Sequence, residues 1–154
     1  MVTAGSSSNG SPSRPVRSRP VLAGLLLATI AAGLGSRWAS DWLPDFVVAN
    51  VGDVLWTVAA FLALAILMPA VSTARLASLA IAFSFAVEFS QLATPNWLVT
   101  FRSTLPGRLL LGTDFVWADL PRYAAGGLLA AAIDFCVAGI RQRRGVKRAA
   151  TKSG

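Results

Sequence analysis

Long apolar runs separated by short polar breaks dominate the chain, and their lengths match a membrane rather than a soluble core. The opening residues hold almost nothing to bury. Ser, Gly, Asn and Pro lead into Arg14, Arg17 and Arg19, so residues 1–19 are expected to form a disordered basic tail. The first apolar run, Val21 to Ser36, extends to a span at about 20–37 because Arg19 and Arg37 can snorkel at its ends. A basic lead before an apolar run also describes a signal peptide. No A-x-A cleavage site follows it, so an uncleaved helix is the reading adopted.

Trp38 to Asn50 reads as an interfacial loop, with Trp38, Trp42, Pro44 and two aspartates. The second span is predicted at 53–74, uncharged from Val54 to Ala74, with Pro69 in its last turn. The third is predicted at 76–93, interrupted by Glu88 and stopped by Pro95. Asn96 to Thr113 is too polar to span. Trp97, Leu98, Phe101 and Leu105 recur at helical spacing opposite Arg102, which predicts a helix lying in the interface. The fourth span, 117–140, carries Gly126-Gly127 and several alanines for close helix approach. A basic tail fills 141–154. The predicted fold is therefore all-α: one domain at 20–140, an integral membrane bundle of four transmembrane helices with an interfacial segment between helices three and four.

Composition agrees with that pattern. Apolar residues make up 55% of the chain and charged residues 14%, against about a quarter charged in soluble domains. The net charge of +7 is concentrated in the tails. If both tails lie inside, that side holds ten Lys and Arg, Arg75 included. Arg37, Arg102, Arg108 and Arg122 remain outside. The positive-inside rule then predicts a multi-pass protein of the cell membrane with both termini cytoplasmic and the two longer loops facing out. The basic tails are read as topology signals and contacts with membrane lipids, and no nucleic-acid partner is expected. The absence of His excludes imidazole zinc sites and Ser-His triads, and a lone Cys136 cannot form an intramolecular disulfide. Asp53, Glu88, Asp114 and Asp119 lack the local spacing of an oxygen-ligand metal site, and nearby arginines compete for them. No metal and no cofactor is expected.

The topology gathers scattered polar residues at one end of the bundle. Asp53 is expected to open the second helix, with Trp56 one turn on as an interfacial anchor. Glu88 and Gln91 fall near the outer end of the third helix, and Asp119, Arg122 and Tyr123 at that of the fourth. Arg102, Arg108 and Asp114 come from the loop between. Glu88 lies about 7–8 Å below the interface at ~1.5 Å per residue. It shares one helical face with Ala77, Ile81, Ser84 and Gln91, which is taken as the inward face. Such a charge needs a partner. Two readings stay open: a brace to Arg108 or Arg122, or a group that contacts a ligand. Asp119 and Asp53 carry the same ambiguity, since a carboxylate near a helix start also suits the helix dipole. Asp134 is expected to reach toward the surface near Arg141. Thr57, Ser84 and Cys136 are read as helix-packing residues.

Gly52-Asp53-Val54-Leu55-Trp56, then Val87-Glu88-Phe89-Ser90-Gln91-Leu92, then Trp97-Leu98 with Arg102, then Gly112 with Phe115, Trp117, Asp119, Leu120, Tyr123 and Gly126, together resemble domain of unknown function 2809. That family comprises small bacterial membrane proteins, and the resemblance runs from about Arg37 to Gly127. It implies an outer polar site with no assigned activity. More distantly the chain resembles VanZ-like proteins, which carry a Glu-x-x-Gln in the third helix and are linked to glycopeptide resistance at the cell envelope. This chain has Tyr123 and glycines where that pattern has a fourth-helix Asn, and Ala93 where it has an aromatic. Resistance is therefore an analogy only.

The function expected is recognition of a polar or anionic group, a lipid head group or cell-wall precursor, with Arg102, Arg108 and Arg122 as contacts and Glu88 and Gln91 orienting it. The alternatives are an intramembrane enzyme using Glu88 and Asp119 as paired carboxylates, and a subunit of a small transporter, which would need a homo-oligomer. Catalytic residues are unassigned.

Overall fold

The computed structural model describes the backbone of residues 17–152 and the side chains of residues 17–140. Residues 1–16, most of the expected disordered tail, lie outside the described residues. Six helices form, with no strand among the described residues: α1 (Arg19–Trp38), α2 (Asp45–Leu67), α3 (Thr73–Ser90), α4 (Asn96–Ser103), α5 (Leu105–Leu111) and α6 (Asp119–Lys152). Four of them are long and apolar enough to cross a membrane: α1, α2, α3 and the Asp119–Ile140 portion of α6.

Helix ends follow local chemistry. Pro20 sits in the first turn of α1, where its missing N–H removes no bond. Helix α2 begins at Asp45, not at Asp53. Pro44 starts it, Asp45 suits the positive end of the dipole, and the polar Asn50 and Asp53 are tolerated because another helix supplies their partner. It stops at Leu67, short of the predicted 74, because Pro69 forces the preceding residue out of helical geometry. The interfacial segment is two short helices, not one. Thr104 breaks them apart and its hydroxyl caps the Gly107 N–H at 3.1 Å. Beyond Ile140 the basic stretch continues as helix through Lys152.

Helices α2, α3 and α6 each pack against the other two, while α1 lies along α2. The core holds Leu22, Phe61, Leu62, Ala65, Leu76, Ala77, Ala80 and Ala130. Small residues set the spacing. A methyl at Gly126 would run into the Val54 carbonyl of α2, and one at Gly127 into the Ile81 side chain of α3. Here, packing contacts rather than the hydrophobic effect hold helix to helix. The buried Thr57 and Ser84 hydroxyls satisfy each other at 3.0 Å between α2 and α3. Outward side chains remain apolar. Leu27 is 68% exposed and Leu128 66%, a surface that lipid solvates and water would not.

At the end that carries the tails, Arg17 joins three elements. Its guanidinium holds Asp134 of α6 at 2.6 and 3.1 Å and donates to the carbonyls of Pro69 and Val71 at 3.1 and 2.7 Å. It also donates to the Thr73 hydroxyl at 3.0 Å, which in turn donates to Asp134 at 2.5 Å. Arg17 is thus a partner of Asp134, because the fold brings the start of α1 beside the α2–α3 turn.

Candidate functional site

The opposite end, formed by the α1–α2 turn and residues 91–118, is here called the loop end. It gathers the polar candidates into two groups with different characters.

The first group is closed. Glu88 is fully buried in the last turn of α3. One carboxylate oxygen accepts the Val116 backbone N–H at 2.6 Å, and the other accepts the Tyr123 hydroxyl at 2.8 Å. Neither Arg108 nor Arg122 is its partner, and the brace is made instead by an uncharged hydroxyl and a backbone N–H. Close packing of α6 on α3, where Ile81 fills the space beside Gly127, carries Tyr123 of α6 to this depth. Gln91 donates its amide to the Leu111 carbonyl at 2.7 Å, while its own side-chain oxygen is buried without a partner. Gly112 adopts φ 66° and ψ −172°, a region essentially reserved for glycine, and the Gln91 amide occupies the space a Cβ would need. Arg102 is buried and caps the end of α3. It donates to the carbonyls of Ser90 at 2.5 Å and Ala93 at 3.1 Å, and to the Ser90 hydroxyl at 3.1 Å. A cation there also suits the negative end of the α3 dipole. Glu88, Gln91, Arg102 and Tyr123 together fasten residues 91–118 onto the bundle.

The second group is open. Arg122 of α6 donates its Nε–H to the Asn50 amide oxygen at 2.8 Å, and Nη1 bonds Asp53 at 3.3 Å and Asp119. The Arg122 and Asp53 side chains are each 23% exposed, and that of Asp119 15%. The Arg37 guanidinium lies over Gly52, beside Asp53. Two carboxylates therefore share one guanidinium, with a second arginine close by. Helical spacing puts Asn50 and Asp53 on one face of α2, and Gly126 lets α6 approach closely enough for Arg122 to reach both. Asn50 and Arg37 did not figure among the sequence candidates. The spacing of Asn50 three residues before Asp53 was the available signal, hidden by the expectation of a loop.

The remaining candidates divide. Trp56 stacks on Phe83 of α3 with ring centroids 6.3 Å apart, a packing contact between helices. Arg108 is exposed and makes no ion pair or side-chain hydrogen bond among the described residues. Asp114 accepts a hydrogen bond from Thr113. Among the described residues no three His, Cys, Asp or Glu gather closely enough to hold a metal ion.

Chemically, both oxygens of Glu88 are engaged behind Tyr123 and Val116. The open group presents both signs of charge at one end of the bundle. A family model described as "Protein of unknown function (DUF2809)" matches residues 42–127, more than half of the chain and all of both groups except Arg37. No solved structure matches the chain.

Proposed function

We propose, for a chain that belongs to the DUF2809 family, that it is a membrane protein recognising the polar head of an envelope amphiphile at its loop end. The observation that carries this reading is the partly exposed ion cluster of Asp53, Asp119 and Arg122. Charged groups within membrane-spanning helices are costly and normally functional. Because Arg122 is already shared by Asp53, Asp119 and Asn50, the cluster suits a head group bearing both charges. An ammonium would face the carboxylates, and a phosphate or carboxylate would face Arg37 and Arg122. This narrows the anionic-ligand expectation and moves its contacts away from Arg102. The concentration of basic residues in the tails supports an outer location for the loop end in the cell membrane. The enzyme reading has less support, since Glu88 and Asp119 hold different partners.

Two measurements test the proposal. Single cysteines at Pro106 and Ala149, in a Cys136→Ala background, are treated in intact cells with a membrane-impermeant thiol reagent. Labelling at Pro106 with protection at Ala149 supports an outer site, and the reverse overturns it. Native mass spectrometry of the purified protein with phosphatidylethanolamine then compares wild type with Asp53→Asn and Arg122→Gln. Equal retention by all three proteins would sink the head-group assignment.

A further inference from the structure

A second feature of the loop end lies away from the ion cluster, on the flank of α3. Ala86, Val87 and Ser90 of α3, with Trp97, Leu98, Phe101 of α4 and Leu111 of α5, line an open groove of about 510 Å³. Its one hydroxyl is spoken for. The Ser90 hydroxyl donates to the Val87 carbonyl at 2.5 Å and accepts from Arg102 at 3.1 Å. The one free side-chain donor in the lining is the exposed Trp97 indole N–H, and the lining has no free side-chain acceptor for a sugar or a nucleotide. It suits hydrocarbon.

What lies outside the groove decides its occupant. Trp97 is 70% exposed, Leu105 65% and Leu110 50%, so the short helices α4 and α5 present an apolar surface continuous with the groove. Such a surface beside the end of a membrane span sits among acyl chains. Arg108 lies one helical turn before Leu111, the spacing that puts two side chains on one face of a helix. It is exposed, makes no ion pair or side-chain hydrogen bond among the described residues, and precedes a groove whose lining has no carboxylate.

We infer that the groove between α3 and α4–α5 is a binding site for an anionic phospholipid of the bilayer, one acyl chain lying against Val87, Leu98 and Leu111 and the phosphate meeting Arg108. The site is separate from the Asp53–Arg122 cluster and does not depend on how that cluster functions. It needs an exposed cation and a hydrocarbon-lined trough within one helical turn of each other, and α5 supplies the link.

Full-length protein is purified, exchanged into mixed micelles with palmitoyl-oleoyl phosphatidylglycerol or phosphatidylcholine, and examined by native mass spectrometry. Wild type is expected to retain phosphatidylglycerol over phosphatidylcholine. Arg108→Gln should lower that preference about fivefold, the effect of one basic residue at an anionic surface. Ala86→Trp, which fills the groove, should reduce retention of both lipids while leaving the phosphatidylethanolamine response of the ion cluster unchanged. Ala86→Leu serves as the milder variant if the tryptophan protein does not fold. Unchanged retention in the groove variants overturns the site. So does conversion of a dimer to a monomer by those variants, which would make the groove a contact between copies of the chain.

Discussion

Tyr123 donates its hydroxyl to Glu88 at 2.8 Å across the α3–α6 interface, in a place where both residues are closed to solvent. Among the described residues the tyrosine and the Val116 N–H are the two donors the carboxylate has, and no guanidinium reaches it. Losing either donor strands an acceptor in a medium that offers no water. Tyr123→Phe is therefore expected to destabilise the protein by about 1–3 kcal/mol. Thermal unfolding in detergent measures it, and a double-mutant cycle with Glu88→Leu isolates the pair. A coupling energy near zero would show that the bond contributes nothing.

Gly112 answers a different constraint. Its backbone lies where only glycine is comfortable, and the Gln91 amide fills the space where a Cβ would stand. Gly112→Ala should cost about 1–3 kcal/mol locally. It should also loosen residues 92–118 before the bundle itself unfolds. Limited proteolysis reads this directly: cleavage in that segment should rise while the spans stay intact. Wild-type protection in the variant would count against the fastening role assigned to Gln91.

Arg122 serves two carboxylates at once. Replacing it with Gln leaves Asp53 and Asp119 facing each other in a partly buried site, with an expected loss of about 1–3 kcal/mol, discounted for their exposure. Arg122→Gln combined with Asp53→Asn and Asp119→Asn should recover most of that stability, because the uncompensated charges are gone. Failure of the triple variant to recover would mean that Arg122 acts through packing.

The Arg17 clasp predicts that the start of α1 is held as firmly as a core contact. Arg17→Gln removes charge-assisted bonds to Asp134, Pro69 and Val71, for which about 1.5–3 kcal/mol is the ordinary scale of a single such bond. Disulfide trapping between cysteines at Leu22 and Leu62, both in the core cluster, should become slower and less complete in this variant. Unaltered trapping would place the anchoring of α1 in its apolar contacts with α2.

Gly126 tests the spacing of the bundle. A methyl there meets the Val54 carbonyl, so Gly126→Ala should push α6 from α2, lengthen the Arg122–Asp53 contact and destabilise by about 1–3 kcal/mol. Unfolding measurements and retention of phosphatidylethanolamine should fall together. A stable variant with normal retention would separate the helix spacing from the ion cluster.

Hydropathy alone determined that this chain is a four-span helical membrane protein, because lipid solvates every outward side chain and leaves the apolar runs visible in the sequence. The inward face of α3 was legible as well: Ala77, Ser84 and Glu88 are buried, as their shared helical face implied. Partner choice was not. Glu88 took a tyrosine and a backbone N–H where arginines were expected, Arg102 capped α3, and Arg122 turned to Asn50, Asp53 and Asp119. The Glu88 and Arg122 outcomes depend on how closely α6 approaches α2 and α3, which Gly126 and Gly127 set through neighbours far away in the sequence. The Arg102 cap depends on how α4 folds back onto the end of α3. The cost of a buried charge is local and can be read from one residue. Its compensation is tertiary, because a hydrogen bond forms only where two helices bring donor and acceptor within about 3 Å of each other.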